Sequence, residues 1–217
     1  MLINRYIDST LLKPVTQDDI RALCNDAILY DFCAVCVQPH YVALCKQLLK
    51  DTNVKVATVV GFPLGANNTK TKIFEAELAV KEGADEIDMV VNHNDFLNGH
   101  YSQIINEINA IKETANVTVK VIIETSILSK EQITKMCELV NYSKADFIKT
   151  STGFVGDGAK LADVELMASL MQNGKYVKAS GGIRSLKDAE NFINVGAKRL
   201  GTSSGVKIMQ EMAEYNK

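Results

Sequence analysis

Eight short apolar segments, each followed by a segment with helical spacing, divide the 217 residues into units of about 27 residues. The strands are predicted at residues 5–12, 32–37, 54–60, 84–91, 117–124, 147–150, 176–179 and 198–202. Eight regular strand–helix units predict an α/β fold, with residues 1–217 forming a single-domain (β/α)8 TIM barrel. A doubly wound open sheet is the alternative, because a sequence does not show whether the sheet closes.

Helix ends are marked by capping residues. Thr16 is expected to cap the first helix, and Ser129 with Gln132 three residues later predicts a capping box. The first strand is expected to end near Asp8, and the last helix to start at Ser203.

Composition narrows the classes of function. The net charge of -2 gives no reason to expect nucleic-acid or membrane partners, and no segment approaches the roughly 18 apolar residues of a membrane span. The five cysteines are odd in number and favour a reducing cytoplasm. Cys33 and Cys36 form a C-x-x-C, but on a strand they point to opposite faces. The three histidines lack ligand spacing, so no metal site is expected.

Four consecutive strands carry a charged residue within an apolar run. These residues are Asp88, Lys120, Lys149 and Lys178, and Asp8 on the first strand is a fifth candidate. Neighbouring strands lie about 4.8 Å apart, so inward-facing side chains would share one small space. The alternative for each residue is a charged rim position or a buried ion pair.

The charges in these strands suggest a chemical role. An ionised group is costly in a dry interior unless it is paired, and one carboxylate cannot neutralise three ammonium groups. At least one lysine is therefore expected to be uncharged, which suits Schiff-base formation with a carbonyl substrate. Asp88 would serve as the acid/base, and the pattern leaves open whether Lys149 or Lys178 attacks.

Clusters of small residues follow the last three strands, at residues 150–153, 180–182 and 201–205. Barrels often bind phosphate in such loops and at a helix N-terminus, so a substrate with a phosphate end is expected. Ordinary turns and caps are the alternative. Arg184 lies nearby in sequence, whereas Phe154 means that the first cluster brings no cation of its own.

Seven segments together resemble the deoxyribose-phosphate aldolases, which are class I (Schiff-base) aldolases. In chain order they are IDSTLLKP, GFPLGANNTKTK, EIDMVVN, KVIIET, FIKTSTGF, VKASGGIR and GTSSG. The resemblance spans nearly the whole chain. It implies reversible cleavage of 2-deoxy-D-ribose 5-phosphate to D-glyceraldehyde 3-phosphate and acetaldehyde, no metal or organic cofactor, and a homo-oligomer, expected as a dimer.

The resemblance also implies roles for individual residues. It makes Lys149 the Schiff-base lysine, Lys178 the second lysine that perturbs it, and Asp88 the proton donor and acceptor, through a water. Supporting groups that hold substrate hydroxyls or orient Asp88 are Asp8 and Lys120. The residues implied to grip the phosphate are Gly153, Gly181, Gly182, Ser203 and Ser204.

Other functions fit parts of the pattern. The chain could be another Schiff-base aldolase or a transaldolase for a different sugar phosphate. It could also be a non-catalytic barrel that binds sugar phosphates, although this gives no reason for the paired lysines beside Asp88.

Cys36 is expected to pack structurally near the substrate, and Tyr215 to lie on the surface rather than assist proton transfer.

Overall fold

The computed structural model describes residues 2–215, which form a closed barrel of eight parallel strands in the order of the sequence. The strands are Ile7–Leu11 (β1), Ala34–Val37 (β2), Lys55–Val60 (β3), Glu86–Val90 (β4), Thr118–Ile122 (β5), Phe147–Lys149 (β6), Tyr176–Ser180 (β7) and Ala197–Thr202 (β8). β8 pairs with β1, so the sheet has no open edge. The predicted barrel is confirmed, and the open-sheet alternative is wrong.

Helices surround the barrel and connect successive strands. They are Gln17–Leu29 (α1), Val42–Leu48 (α2), Thr69–Lys81 (α3), His93–Leu97 (α4), Tyr101–Ala115 (α5), Lys130–Tyr142 (α6), Leu161–Leu170 (α7), Leu186–Asn194 (α8) and Gly205–Tyr215 (α9). Within residues 2–215, no helix has both the length and the apolar character needed to cross a bilayer.

The helix caps largely follow the sequence. Thr16 and Ser129 each form a capping box, the first with Asp19 and the second with Gln132. Two expected boundaries are wrong. Asp8 is the second residue of β1 rather than its end, and α9 begins at Gly205 rather than at Ser203. As a result, Asp8 lies deeper in the barrel than its predicted position implied.

The interior of the barrel has an apolar side and a charged side. A small apolar cluster fills one side, mainly from β2 and β3, and consists of Leu12, Ala34, Cys36, Ala57 and Val59. Charged side chains from β1, β4, β5, β6, β7 and β8 occupy the remaining space. The larger apolar core consists of the outward faces of the strands and the helices that cover them. The barrel therefore concentrates its buried charge on one side of its axis.

One buried ion pair lies outside the barrel, between α3 and α5. The ammonium group of Lys72 donates to Glu107 Oε1 at 2.7 Å and to the carbonyl oxygen of Val90, the last residue of β4, at 2.9 Å. Thr69 Oγ1 donates to the other carboxylate oxygen of Glu107 at 2.8 Å. Lys72 is fully buried and Glu107 nearly so, so each charge relies on the other for compensation.

This pair makes a prediction about stability. Lys72→Met leaves the Glu107 carboxylate buried without its cation, and we expect the free energy of unfolding to fall by about 3–5 kcal/mol. The double variant Lys72→Met/Glu107→Leu removes both charges and is expected to recover most of that loss. Urea unfolding measures both. Equal losses in the single and double variants would show that packing, and not charge pairing, dominates at this position.

Candidate active site

Four predicted residues meet inside the barrel because of strand register. Asp88 on β4 is paired with Lys120 on β5, and Lys149 on β6 is paired with Lys178 on β7. Each of these side chains is at most 1% exposed. A parallel barrel with this register leaves them no direction except inward, where they share one small space.

The carboxylate of Asp88 is the common partner of the three lysines. Its Oδ1 accepts a hydrogen bond from Lys120 at 2.8 Å. Its Oδ2 accepts from Lys149 at 2.8 Å and from Lys178 at 2.7 Å. The ammonium groups of Lys149 and Lys178 therefore touch the same oxygen atom and lie close enough to repel each other.

A second set of charges lies beside this group. Lys178 also donates to Asp8 Oδ2 at 2.5 Å, and Lys120 forms an ion pair with Glu86 at 2.6 Å. The guanidinium of Arg199 bridges the two acids: its Nε donates to Asp8 at 2.7 Å and its Nη2 to Glu86 at 2.8 Å. The structure thus joins seven side chains from six strands into one network.

Two of these residues, Glu86 and Arg199, are absent from the sequence-based set of candidates. Counting one carboxylate against three ammonium groups was therefore wrong, since the network holds three carboxylates and four cations. Strand alternation could have identified Glu86, because it precedes Asp88 by two residues and so shares its face of β4. Arg199 follows the exposed Lys198 near the start of β8, where a pair of cations is typical of a surface position.

The environment separates the two lysines that the charge pattern could not distinguish. Burial, together with the Lys178 ammonium, lowers the pKa of Lys149 despite the opposing carboxylate of Asp88. Burial acts the same way on Lys178, but the carboxylates of Asp8 and Asp88 outweigh it and raise its pKa above the usual range. Lys149 is thus the member of the pair that loses its proton more easily.

Asp88 and Lys120 are held in their charged forms. Burial opposes ionisation of Asp88, but Lys120, Lys149 and Lys178 outweigh it and hold its pKa well below the usual range. For Lys120, burial is outweighed by Asp88 and Glu86, which raise its pKa. The arrangement can therefore supply one uncharged amine next to fixed charges.

A cavity of about 310 Å³ opens beside this network at the carboxyl ends of the strands. Four of the five predicted phosphate residues line it, namely Gly153, Gly181, Gly182 and Ser203. Ser204 is not among the lining residues, and its backbone N–H donates to Thr202 Oγ1 at 2.9 Å. Two exposed cations, Lys13 and Arg184, line the same cavity. Cations are therefore present at this mouth, although Phe154 and not a cation follows Gly153 in the loop after β6.

The loop after β6 is held on both sides. The carboxylate of Glu124, two residues beyond the end of β5, accepts from the backbone N–H of Thr152 at 3.0 Å and from its hydroxyl at 2.6 Å. Glu124 has a φ of +50°, a left-handed conformation that is unusual for a glutamate. On the other side, the N–H of Ala159 donates to the carbonyl oxygens of Ser180 and Gly181. These contacts fix the loop before any ligand arrives.

The loops after β6 and β7 approach each other so closely that residue 181 must be glycine. A side chain on Gly181, which has a φ of +88°, would lie 2.9 Å from the Cα atom of Gly158. The loops after β6 and β7 can touch only because both residues are glycine.

The structure also shows where Cys36 and Tyr215 lie. Cys36 lies on β2 within the apolar cluster inside the barrel, and burial raises the pKa of its thiol. Tyr215 is the last residue of α9, and its side chain is 85% exposed. Because α9 runs away from the carboxyl ends of the strands for about 16 Å, Tyr215 lies at the far end of the barrel.

The comparisons with known proteins agree with this geometry. A family model described as DeoC/LacD family aldolase matches residues 5–211. The deoxyribose-phosphate aldolase of Caldicellulosiruptor saccharolyticus is 52% identical over 214 residues, which cover 96% of this chain and 97% of that protein. That of Mycoplasma capricolum is 48% identical over 209 residues, covering 95% of this chain and 94% of that protein.

Solved structures show the same architecture. The aldolase QR15 superposes with a TM-score of 0.94 at 40% identity, covering 99% of this chain and 97% of that one. The tetrameric deoxyribose phosphate aldolase of Aeropyrum pernix has a TM-score of 0.90 at 34% identity, covering 98% of this chain and 92% of that one. With the lysine network inside a closed barrel and a family match along nearly its whole length, this chain is an enzyme of the DeoC/LacD aldolase family.

Proposed function

We propose that this aldolase reversibly cleaves 2-deoxy-D-ribose 5-phosphate to D-glyceraldehyde 3-phosphate and acetaldehyde through a Schiff base on Lys149. Relatives about half identical in sequence are named for the deoxyribose-phosphate substrate. The observation that carries the proposal is the setting of Lys149. Its buried amine has a lowered pKa and lies three residues before Thr152, which lines the cavity.

In the cleavage direction, the amine of Lys149 attacks the C1 aldehyde of the open-chain sugar. The carbinolamine takes up a proton on its hydroxyl, loses water and becomes a protonated imine. The C3 hydroxyl then gives up its proton, the C2–C3 bond breaks, and its electron pair moves into the imine to form an enamine. C3 leaves as the aldehyde carbon of glyceraldehyde 3-phosphate. Protonation of C2 and hydrolysis of the imine release acetaldehyde and restore the amine.

The neighbouring charges have distinct roles in this proposal. Asp88 passes protons through a water, and because its pKa is low it holds each proton only transiently. Lys178 supplies the positive charge that favours the uncharged form of Lys149. Asp8 and Lys120 are fully buried and bonded to other members of the network. Their proposed role is therefore to orient Lys178 and Asp88 and not to touch substrate hydroxyls.

The phosphate is proposed to lie at the mouth of the cavity. Gly153, Gly181, Gly182 and Ser203 are the proposed phosphate residues, because they line the cavity. The same role for Ser204, which the resemblance implies, stays a prediction. Lys13 and Arg184 add positive charge along the same wall, which favours an anionic end group. The substrate would then extend from the mouth down to the amine of Lys149.

We propose that residues 1–217 act as one catalytic domain and assemble into a homo-oligomer, with a dimer as the expected unit. A tetramer is described for the relative from Aeropyrum pernix, which supports assembly but not its size. Light scattering of the purified protein would measure the number of subunits. The cytoplasmic location expected from cysteine usage stays a prediction.

The Schiff base is the first prediction. Borohydride added in the presence of acetaldehyde should reduce the imine and leave an ethyl group on Lys149, detectable by peptide mass spectrometry. Lys149→Met should abolish the adduct, while Lys175→Met, which removes a half-buried lysine elsewhere, should leave it unchanged. An adduct on Lys178 in the native protein would contradict the proposed assignment.

The second prediction concerns charge coupling. Lys178→Leu removes a cation that repels the Lys149 ammonium and competes with it for Asp88 Oδ2. The pKa of Lys149 therefore rises. Because the amine reacts only above its pKa, the midpoint of the pH profile for adduct formation should move up by about one pH unit or more. We also expect kcat/KM to fall on the order of 100-fold or more.

The double variant Lys72→Met/Glu107→Leu is the matched control, because it removes a buried lysine outside the network. Its midpoint should equal that of the native protein. If the midpoint of Lys178→Leu also stays there, Lys178 does not act through its charge.

The third prediction tests the loop that Glu124 holds. In Glu124→Gln, an uncharged amide oxygen replaces the charged Oε2 that accepts from both the N–H and the hydroxyl of Thr152, so both hydrogen bonds weaken and the loop loosens. KM for 2-deoxyribose 5-phosphate should rise about tenfold. Activity on unphosphorylated 2-deoxyribose should change little, because that substrate does not use the phosphate site. An equal loss on both substrates would mean that Glu124 supports the reacting centre and not the phosphate loop.

A further inference from the structure

Glu86 and Arg199 are buried charges that the proposed mechanism does not use. Arg199 is 7% exposed and Glu86 is 6% exposed. The guanidinium donates to both oxygens of Glu86, at 3.0 and 2.8 Å, and also to Asp8. Neither residue contacts Lys149 directly. Any influence on the reacting amine must therefore pass through Asp8, Lys120 and the charge of the network.

The charge balance of the network is uneven. Its three carboxylates belong to Asp8, Glu86 and Asp88, and its four cationic groups to Lys120, Lys149, Lys178 and Arg199. With every group ionised, the buried network carries one excess positive charge. An arginine does not give up its proton in a protein, so the proton that restores neutrality must come from a lysine.

Within residues 2–215, the other titratable groups nearby form no ion pair with the network. The buried carboxylate of Glu124 accepts hydrogen bonds from Thr152 and Ser126 instead. On the side of β2 the titratable groups are Cys36 and, just before the strand, Cys33, and burial raises the pKa of both thiols so that they stay uncharged. β3 faces the interior with Ala57 and Val59, which do not titrate. Arg5 lies nearer the surface and pairs with Asp31.

Hydrogen bonding decides which lysine is the exception. Lys120 contacts the carboxylates of Glu86 and Asp88, and Lys178 contacts those of Asp8 and Asp88. Among the described residues, Lys149 has a single carboxylate partner, Asp88. Losing the proton on Lys149 therefore sacrifices one ion pair, whereas losing it from either other lysine sacrifices two.

We propose that Arg199 and Glu86 are positioning residues that set the proton count of this network, so that the one missing proton is the one on Lys149. Arg199 supplies the permanent positive charge that makes a proton surplus, and it holds Asp8 beside Lys178. Glu86 keeps Lys120 charged. The inference rests on the proposed Schiff base at Lys149. The lowered pKa of Lys149 and the raised pKa values of Lys120 and Lys178 agree with it.

The charge balance predicts opposite shifts for two substitutions. In Arg199→Met, three carboxylates face three lysines, and Lys149 can keep its proton without excess charge. The pH midpoint for borohydride-trapped adduct formation with acetaldehyde should rise by about one pH unit. In the nearly isosteric Glu86→Gln, the excess positive charge grows and the midpoint should fall. The double variant Arg199→Met/Glu86→Gln restores the original balance, and its midpoint should return towards that of the native protein.

Two controls separate charge from packing. Arg199→Lys keeps the charge but loses the fork of N–H donors, so its midpoint should stay near the native value even if turnover slows. Glu107→Gln disrupts a buried ion pair of similar burial outside the barrel, and it should lower stability without moving the midpoint.

The outcomes distinguish a wrong Schiff-base assignment from a wrong role for Arg199 and Glu86. A native protein that forms no adduct on Lys149 would refute the proposed Schiff base itself. A native protein that forms it, with unchanged midpoints in Arg199→Met and Glu86→Gln, would overturn this inference and leave both residues purely structural. If Arg199→Met fails to fold, Glu86→Gln decides alone, since a lower midpoint supports the proposal and an unchanged midpoint overturns it.

Discussion

The hydrogen bonds that three lysines make to the single carboxylate of Asp88 are the interaction on which the rest of the site depends. Such a group is stable in a dry interior only when its charges are nearly balanced. Register between β4 and β7 brings the lysines to Asp88, but the balance also needs Asp8 and Arg199 from β1 and β8. β8 neighbours β7 in any case, but β1 brings Asp8 to Lys178 and Arg199 only because the sheet closes. Barrel closure is therefore an electrostatic requirement of the site as well as a way to remove sheet edges.

The barrel separates two tasks along its axis. Deep inside, charges that are fixed by neighbouring strands adjust the proton on one amine. At the mouth, backbone and small side chains from the loops after β6, β7 and β8 surround the cavity, with Lys13 and Arg184 on its wall. Glu124 connects these levels, because it lies two residues beyond β5 and holds the loop that begins after Lys149. Rigid strands thus position the buried lysines, while anchored loops line the mouth of the cavity.

Much of the site could be predicted from the sequence because charge within an apolar strand is rare and strand positions alternate in a fixed way. Asp88, Lys149 and Lys178 stand out for that reason. Glu86 and Arg199 do not, since they lie near strand starts, where exposed charge is common. Glu124 and Lys13 lie beyond strand ends, and nothing in the local pattern of a loop residue shows which distant segment it contacts. The seven motifs that resemble known aldolases point to the same reaction but give no energetic reason for it.

By itself, the sequence determined the eight strand–helix units, the closed-barrel architecture that they favour, and the strands that carry buried charge. It did so because periodicity and helix capping are local properties. Only the tertiary structure shows which lysine has the lowered pKa. That outcome depends on how many carboxylates each ammonium meets, and partners such as Asp8 and Arg199 are 191 residues apart in the chain. Coulombic energies depend on distance in space, so the difference in pKa between Lys149 and Lys178 arises only when the barrel brings their partners together.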